Sequence, residues 1–271
     1  MHKLSKLLRT TTVMATLFSP LAMADDHSTH TTVDHSHRSE ANQQRDEFRQ
    51  PYRTLAFFGV KPEHKVIEIL PGGGWYTEIL APMLKEDGEL IAAHYSASSP
   101  SEYRKRSRKN FEEKMAGNDA VYGNVVIRDF DLDGDLDTTS ANADMVLTFR
   151  GLHGLQNAGD LAAAFDRFNA MLKAGGKLGV VQHQAPEGYN PIHTAKKGYL
   201  PKSHVIAVAR AAGFELVAEG YFHNNHKDTI IQDNVEGGVW TLPPNLNTDT
   251  DKEKYAAMGE SNRMTLLFKK L

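Results

Sequence analysis

His153 and His183 are the residues of this 271-residue chain whose type and position suit proton transfer. Each follows an apolar, β-branched run, "ADMVLTF" before His153 and "KLGVVQ" before His183. An imidazole titrates near neutrality, which fits a general base. A cap or loop role would serve either histidine as well. Arg150, three residues before His153, carries a fixed fork of donors that can hold an anionic group. A second concentration lies in "VIEILPGGGWYTEIL", where Glu68 sits inside an apolar run and Gly72, Gly73 and Gly74 follow a proline. Three consecutive residues without side chains let something approach the backbone closely.

Glycine-rich turns between a strand and a helix bind ligands in a few known ways, and the spacing separates them. A phosphate-binding loop needs G-x-x-x-x-G-K-[ST], and no lysine follows here. A dinucleotide fingerprint needs G-x-G-x-x-G. Gly72 and Gly74 supply its first pair, but Thr77 stands at the third position. The remaining pattern has an acid in the strand, four residues before the first glycine of the pair, and Glu68 satisfies it.

These residues need elements to hold them. From Ser39 a helical pattern runs through Phe48, Tyr52, Leu55 and Phe58, with Pro51 predicted to split it into two pieces. "KVIEIL" is a first strand and "GWYTEILAPML" an amphipathic helix. "ELIAAHY", "NVVIRDF", "ADMVLTFR" and "KLGVVQH" are the next four strands, with helices at "SEYRKRSRKNFEEKMAG" and "LAAAFDRFNAML" and a turn at "KAGG". The basic run from Arg104 to Lys109 reads as a solvated helix face. "SHVIAVARAAG" is a helix leading to a sixth strand, "FELVAEG". "MTLLFKK" closes the sheet as a seventh, after a long excursion whose one helical signal is "TDKEKYAAMG". Strands alternating with helices predict a parallel sheet covered on both faces, with ligands bound at the carboxyl ends of its strands.

An acid followed by G-x-G at this place resembles motif I of the class I S-adenosylmethionine-dependent methyltransferases, with Leu70 replacing the first glycine of the full motif. "IRDFD", "ADMVLTFRGLH", "MLKAGGKLGVV", "ARAAGFELVAEG" and "NRMTLLFKK" resemble that superfamily's later strands, turn and closing hairpin. From about Arg45 onward, "RDEFRQP", "LAFFGVKP", "EILPGGGWYTEILAP", "GLH" and "VVQHQAPEG" further resemble an exported bacterial subgroup of it. The resemblance implies a Rossmann-like α/β sheet of seven strands, six parallel and the last antiparallel, with helices on both faces. It implies S-adenosylmethionine as cofactor, with Glu68 near its amino group and the backbone of Gly72, Gly73 and Gly74 against it. Asp129 and Phe130 fall where the adenine is contacted. His94 stands where the superfamily carries an acid for the ribose hydroxyls. Arg150 is placed to hold either the cofactor carboxylate or an anionic substrate. His153 and His183 fall on loops over the cofactor as catalytic bases. Arg45, Asp46, Arg49 and Tyr52 lie on a helix that could cover the pocket, although Asp46 and Arg49 also read as an ordinary surface pair.

The ends and the charge narrow the function further. "MHKLSKLLR", an apolar stretch and the A-x-A site at Ala22-Met23-Ala24 read as a signal peptide over residues 1–24. The stretch is shorter than a membrane span. Its removal takes Lys3, Lys6 and Arg9 with it, so 31 basic residues become 28 against 34 acidic, and the formal charge moves from −3 to −6. An acidic protein without the [DNS]-P-P-[YF] sequence of base-modifying methyltransferases is expected to act on a small molecule rather than nucleic acid. Residues 25–44, with His27, His30, His35 and His37, read as a polar, disordered spacer. Residues 45–271 then form one domain. There is no cysteine, which excludes disulfides and thiolate metal sites, and no metal site is expected in the body. The expected location is the periplasm or the medium. The competing reading is an exported binding protein that keeps the fold without catalysis, with metal held by the histidine-rich tail.

Overall fold

The computed structural model describes residues 36–132, 140–229, 253 and 257–271. The chain enters through three short helices, α1 (Glu40–Gln43), α2 (Asp46–Arg49) and α3 (Pro51–Phe58). The break between α2 and α3 falls at Gln50, which adopts a left-handed φ of 39° immediately before Pro51. Pro51 then opens α3, where a missing N–H costs nothing. The alternating body follows: β1 (Lys65–Ile69), α4 (Thr77–Leu84), β2 (Glu89–His94), α5 (Glu102–Ala116), α6 (Asp119–Tyr122), β3 (Val125–Asp129) and β4 (Ala143–Phe149). It continues with α7 (Leu152–Ala158), α8 (Leu161–Met171), β5 (Leu172–Ala185), α9 (Pro191–Lys196), β6 (Leu200–Pro201), α10 (Lys202–Ala211), β7 (Phe214–Gly220) and β8 (Arg263–Lys270). No described helix is long and apolar enough to cross a membrane.

The sheet runs β3-β2-β1-β4-β5-β8-β7, with the two-residue β6 attached to β5. β3, β2, β1, β4 and β5 pair in parallel, while β8 is antiparallel to both β5 and β7. The closing strand therefore inserts inside the sheet, as expected for "MTLLFKK", and the short β6 is an addition. "KAGG" is not a simple turn before β5. Pairing begins at Ala143↔Leu172 and resumes at Met145↔Lys177, so the glycines form a bulge within a longer strand.

Alternation along the strands divides the core into two layers. Ile67, Ile69, Ile91, Val146, Leu178 and Val180 pack with Phe165 and Phe168 of α8 on one face. Val66, Leu90, Leu147 and Val181 pack with Leu55, Phe58, Leu80 and Phe111 on the other. By the same two-residue period, Glu68, His94, Phe149 and His183 share this second face. Four of the residues singled out from the sequence or packed beside them thus meet under α3, α4 and α5.

Residues 36–44 belong to the folded body rather than to a disordered spacer. Pro82 lies inside α4 and has no N–H for the carbonyl of Glu78, four residues earlier. His37 Nε2 donates to that carbonyl at 2.8 Å. The Glu78 carboxylate, itself buried, receives Arg38 Nε at 3.2 Å, Asn42 Nδ2 at 2.8 Å and Lys114 Nζ at 2.6 Å. Arg38 is held in turn by both oxygens of Asp46. His27, His30 and His35 of the histidine-rich stretch, like the signal segment and most of the excursion before β8, lie outside the described residues.

Candidate active site

The first half of the site is the turn after β1. Leu70, at the place of the missing motif glycine, has a left-handed φ of 49° and still donates its N–H to the Ala93 carbonyl at 2.8 Å. The backbone geometry that favours glycine is thus kept with a leucine in it, and packing of Leu70 against the core offsets the strain. Gly72 and Gly74 also turn through positive φ, at 60° and 74°. A Cβ added at Gly72 or Gly73 would meet no atom within 4 Å, whereas one at Gly74 would lie 3.0 Å from the Phe111 ring. Gly74 is needed for packing against α5. Gly72 and Gly73 face open space that a ligand can enter.

The loop is braced from behind. Lys114 Nζ donates to the Gly73 carbonyl at 2.8 Å. His94 Nε2 donates to the Gly72 carbonyl at 3.1 Å, and its Nδ1 accepts the Tyr95 N–H at 2.7 Å. His94 is fully buried, and burial lowers its pKa. With both nitrogens committed, its imidazole fastens the end of β2 to the glycine loop and has no atom left for a ribose hydroxyl.

Glu68 lies beneath the loop. Thr77 Oγ1 donates to its Oε2 at 2.6 Å, and burial raises its pKa to about 7 despite that bond and the charge of Lys114. Asp129, paired in register with His94, accepts Arg108 Nη1 at 2.7 Å. Arg108 is one residue of the basic run that is buried rather than solvated. Phe130 stacks on Phe168, centroid to centroid 5.9 Å. Glu68 and Asp129 lie within the carboxyl-terminal halves of β1 and β3, and Gly72, Gly73 and Phe130 follow those strands, on either side of β2. The open approach over Gly72 and Gly73 fits an adenosine-bearing cofactor.

The second half lies around the carboxyl ends of β4 and β5, with His153 on α7 and His183 inside β5 rather than on loops. Arg150 has a left-handed φ of 60° and bonds its N–H to the Val181 carbonyl at 2.7 Å. Three residues on, His153 Nδ1 accepts Gln182 Nε2 at 3.4 Å, and its ring centroid lies 6.0 Å from that of His183. His183 Nδ1 bonds the Ser261 hydroxyl. Burial first, then neighbouring charge including that of Arg150, lowers both histidines, His153 to about 4 and His183 well below its ordinary value. Both are held in the neutral form at pH 7.

Sequence reasoning named Arg45 and Arg49 as a possible cover but missed Glu260, Arg263 and His223, which hold them. Glu260 accepts Arg45 Nε at 2.6 Å and Arg49 Nε at 3.0 Å, and also pairs with Arg263. Arg49 stacks over Trp75, 4.5 Å from the ring centroid, and Tyr76 stacks flat on Phe149 at 3.5 Å. Arg49 and Asp46 are not a surface pair: Arg49 is buried on Glu260 and Asp46 holds Arg38. His223 ties this cover to β8, with Nε2 donating to the Arg49 carbonyl at 2.8 Å and Nδ1 on Thr265 Oγ1 at 2.7 Å.

No protein-family model matches the chain. It is 26% identical over 198 residues to the ubiquinone/menaquinone biosynthesis C-methyltransferase UbiE of Shewanella sp. (strain ANA-3), covering 68% of this chain and 70% of that protein. Among solved structures it superposes on a SAM-dependent methyltransferase from Aquifex aeolicus with a TM-score of 0.54 at 13% identity, over 84% of this chain and 93% of that one. The N-methyltransferase NodS from Bradyrhizobium japonicum WM9, in complex with S-adenosyl-L-homocysteine, superposes with a TM-score of 0.50 at 13% identity, over 84% and 87%. The fold is the Rossmann-like fold of the class I methyltransferases.

Proposed function

We propose that this chain is an S-adenosylmethionine-dependent methyltransferase acting on a small-molecule acceptor. The observation that carries the reading is the open space over Gly72 and Gly73 at the end of β1, with Glu68 beneath it and two neutral histidines at the ends of β4 and β5. The methyltransferase names of its relative and of its structural neighbours support it. Bound there, S-adenosylmethionine supplies an electrophilic methyl group. Glu68 and the glycine backbone would hold and orient it. The Arg49–Trp75 stack beside the site would help to exclude water, and His183 or His153 would take the proton an acceptor gives up. The A-x-A site before Asp25 and the basic, apolar leader support export to the periplasm, with the mature chain starting at Asp25.

A second reading is supported by His94. A pocket whose ribose position is filled by a committed imidazole is suited to weak adenosine binding, as in an exported protein that keeps the fold without catalysis. Calorimetric titration of the mature protein with S-adenosylmethionine and S-adenosylhomocysteine decides between them. Micromolar binding of both supports the enzyme, and no heat at millimolar ligand supports the second reading.

A further inference from the structure

Arg150 is set at the end of β4 with no hydrogen bond or ion pair to its guanidinium among the described residues. Its surroundings make this costly. Arg49 from α2, Arg45 just before it and Arg263 from β8 gather around the same point, and Glu260 is the carboxylate hydrogen-bonded to those three. The charge of Arg150 acts on Arg49, Arg263, His153 and His183. Guanidiniums keep their protons in proteins, so the repulsion cannot be relieved by titration. The backbone adds to the cost, because Arg150 occupies a left-handed conformation at φ 60°. An unpaired cation, held among like charges on a strained backbone, is the arrangement expected where binding of a ligand repays the strain.

The position indicates which ligand. The charge that acts on Glu68 is that of Lys114, not Arg150. Arg150 faces instead toward the two histidines, α2 and the start of β8. Tyr76, stacked on Phe149 next to Arg150 in the chain, brings its phenol under the influence of Arg49, Arg150 and Arg263. The unmet positive charge therefore lies beside the candidate bases.

We propose that the acceptor carries an oxyanion group, a carboxylate or a phosphate, and that Arg150 grips it from the end of β4 with Arg49 and Arg263 supplying further positive potential. This deepens the methyl-transfer reading and rests on it for the word acceptor. The binding claim stands on the arginines alone. The fork of Arg150 matches either oxyanion with two parallel hydrogen bonds, and the neutral His183 and His153 are left to serve the other end of the molecule.

The test uses inorganic phosphate and malonate as probes, with sodium chloride at matched ionic strength as the control. Thermal denaturation and calorimetry are run on the mature protein and on Arg150→Asn and Arg150→Lys. Phosphate or malonate should raise the melting temperature saturably, as a ligand of the folded state does, and chloride should not. Asparagine tolerates positive φ and removes a repelling charge, so ligand-free Arg150→Asn should melt at or above the parent temperature. Its oxyanion affinity should fall by about 10- to 100-fold, the loss of a charge-assisted bond. Arg150→Lys, which keeps the charge and loses the fork, should fall between. Affinity for S-adenosylhomocysteine should stay within about threefold in all three. Preference for phosphate assigns a phosphate ester and preference for malonate a carboxylic acid.

Oxyanion response in a protein that binds no S-adenosylhomocysteine would end the methyl-transfer reading and leave the oxyanion site standing. An Arg150→Asn protein that loses S-adenosylhomocysteine while keeping its oxyanion response would assign Arg150 to the cofactor and overturn the proposal. So would a parent protein that responds to neither probe.

Discussion

His94 and Gly72 are joined across the mouth of the cleft by a 3.1 Å hydrogen bond from the imidazole to the loop carbonyl. That bond converts a position expected to contact ligand into one that holds the ligand loop. His94→Asp would set a carboxylate against the Gly72 carbonyl in a buried site, with one buried acceptor left unpaired. The variant should lose about 1–3 kcal/mol of stability, read as a lower denaturation midpoint. Its S-adenosylhomocysteine affinity should not improve. Tighter binding in that variant would show that the ribose contact, not the loop, limits the site.

The glycines separate fold from ligand. At Gly73 an added side chain enters open space and φ is not left-handed, so Gly73→Val should melt within about 0.5 kcal/mol of the parent. It should nonetheless abolish cofactor binding in calorimetry. Gly74→Ala, pressed to 3.0 Å from Phe111 at φ 74°, should destabilise by about 1–3 kcal/mol. Equal stability of the two variants would contradict the assignment.

The buried titratable groups give stability a pH dependence of defined sign. His153 and His223 are lowered to about 4 from 6.5, chiefly by burial. Between those values the unfolded chain takes up protons that the folded chain refuses, so stability falls as pH drops from 6.5 toward 4. Each contributes up to about 3 kcal/mol of that loss. Glu68 has the opposite sign. Raised from 4.5 to about 7, it holds its proton in the folded chain and loses stability as pH rises through that window. Glu68→Gln should leave stability unchanged at pH 4 and raise it by about 3 kcal/mol at pH 8. Urea denaturation across pH 4 to 8 measures both slopes, and a flat difference between parent and variant would rule this out.

Glu260 carries the arginine cover. Glu260→Gln leaves Arg45, Arg49 and Arg263 without their shared counter-charge and should cost about 3–5 kcal/mol. Added phosphate should restore part of the loss. A Glu260→Gln protein as stable as the parent would mean the cluster is solvated.

His37 and Pro82 should be energetically coupled. His37→Ala leaves the Glu78 carbonyl unpaired and should cost about 1 kcal/mol. Pro82→Ala restores a helical N–H for that carbonyl, so in its background the same change should cost little. A double-mutant cycle with no coupling would disconnect the two.

Much of the frame was legible in the residues. The β-branched runs, the turn at Gly72 to Gly74 and the Pro51 break follow from local pattern, and local pattern survives folding; the antiparallel sense of "MTLLFKK" came from the family resemblance. What was hidden is non-local. Glu260 and Arg49 are 211 residues apart, and nothing periodic links them. Pro82 was plain to see, but the histidine that repairs its missing bond lies 41 residues before the carbonyl it reaches. His94 was placed correctly at the end of β2. Its bond to the Gly72 carbonyl leaves no trace in spacing.

The place of β8 also bears on how the chain can be made. β7 finds its partner in β8, and β8 separates β7 from β5. No fragment ending before Arg263 contains the strand that joins them, so the sheet stays open until the final residues are free to pair. Pairing over such a distance in sequence is slow to form. During synthesis the edge of β5 and the unpartnered "FELVAEG" segment wait exposed. Truncation before Arg263 therefore removes the strand that joins β7 to β5, and with it the place of β7 in the sheet.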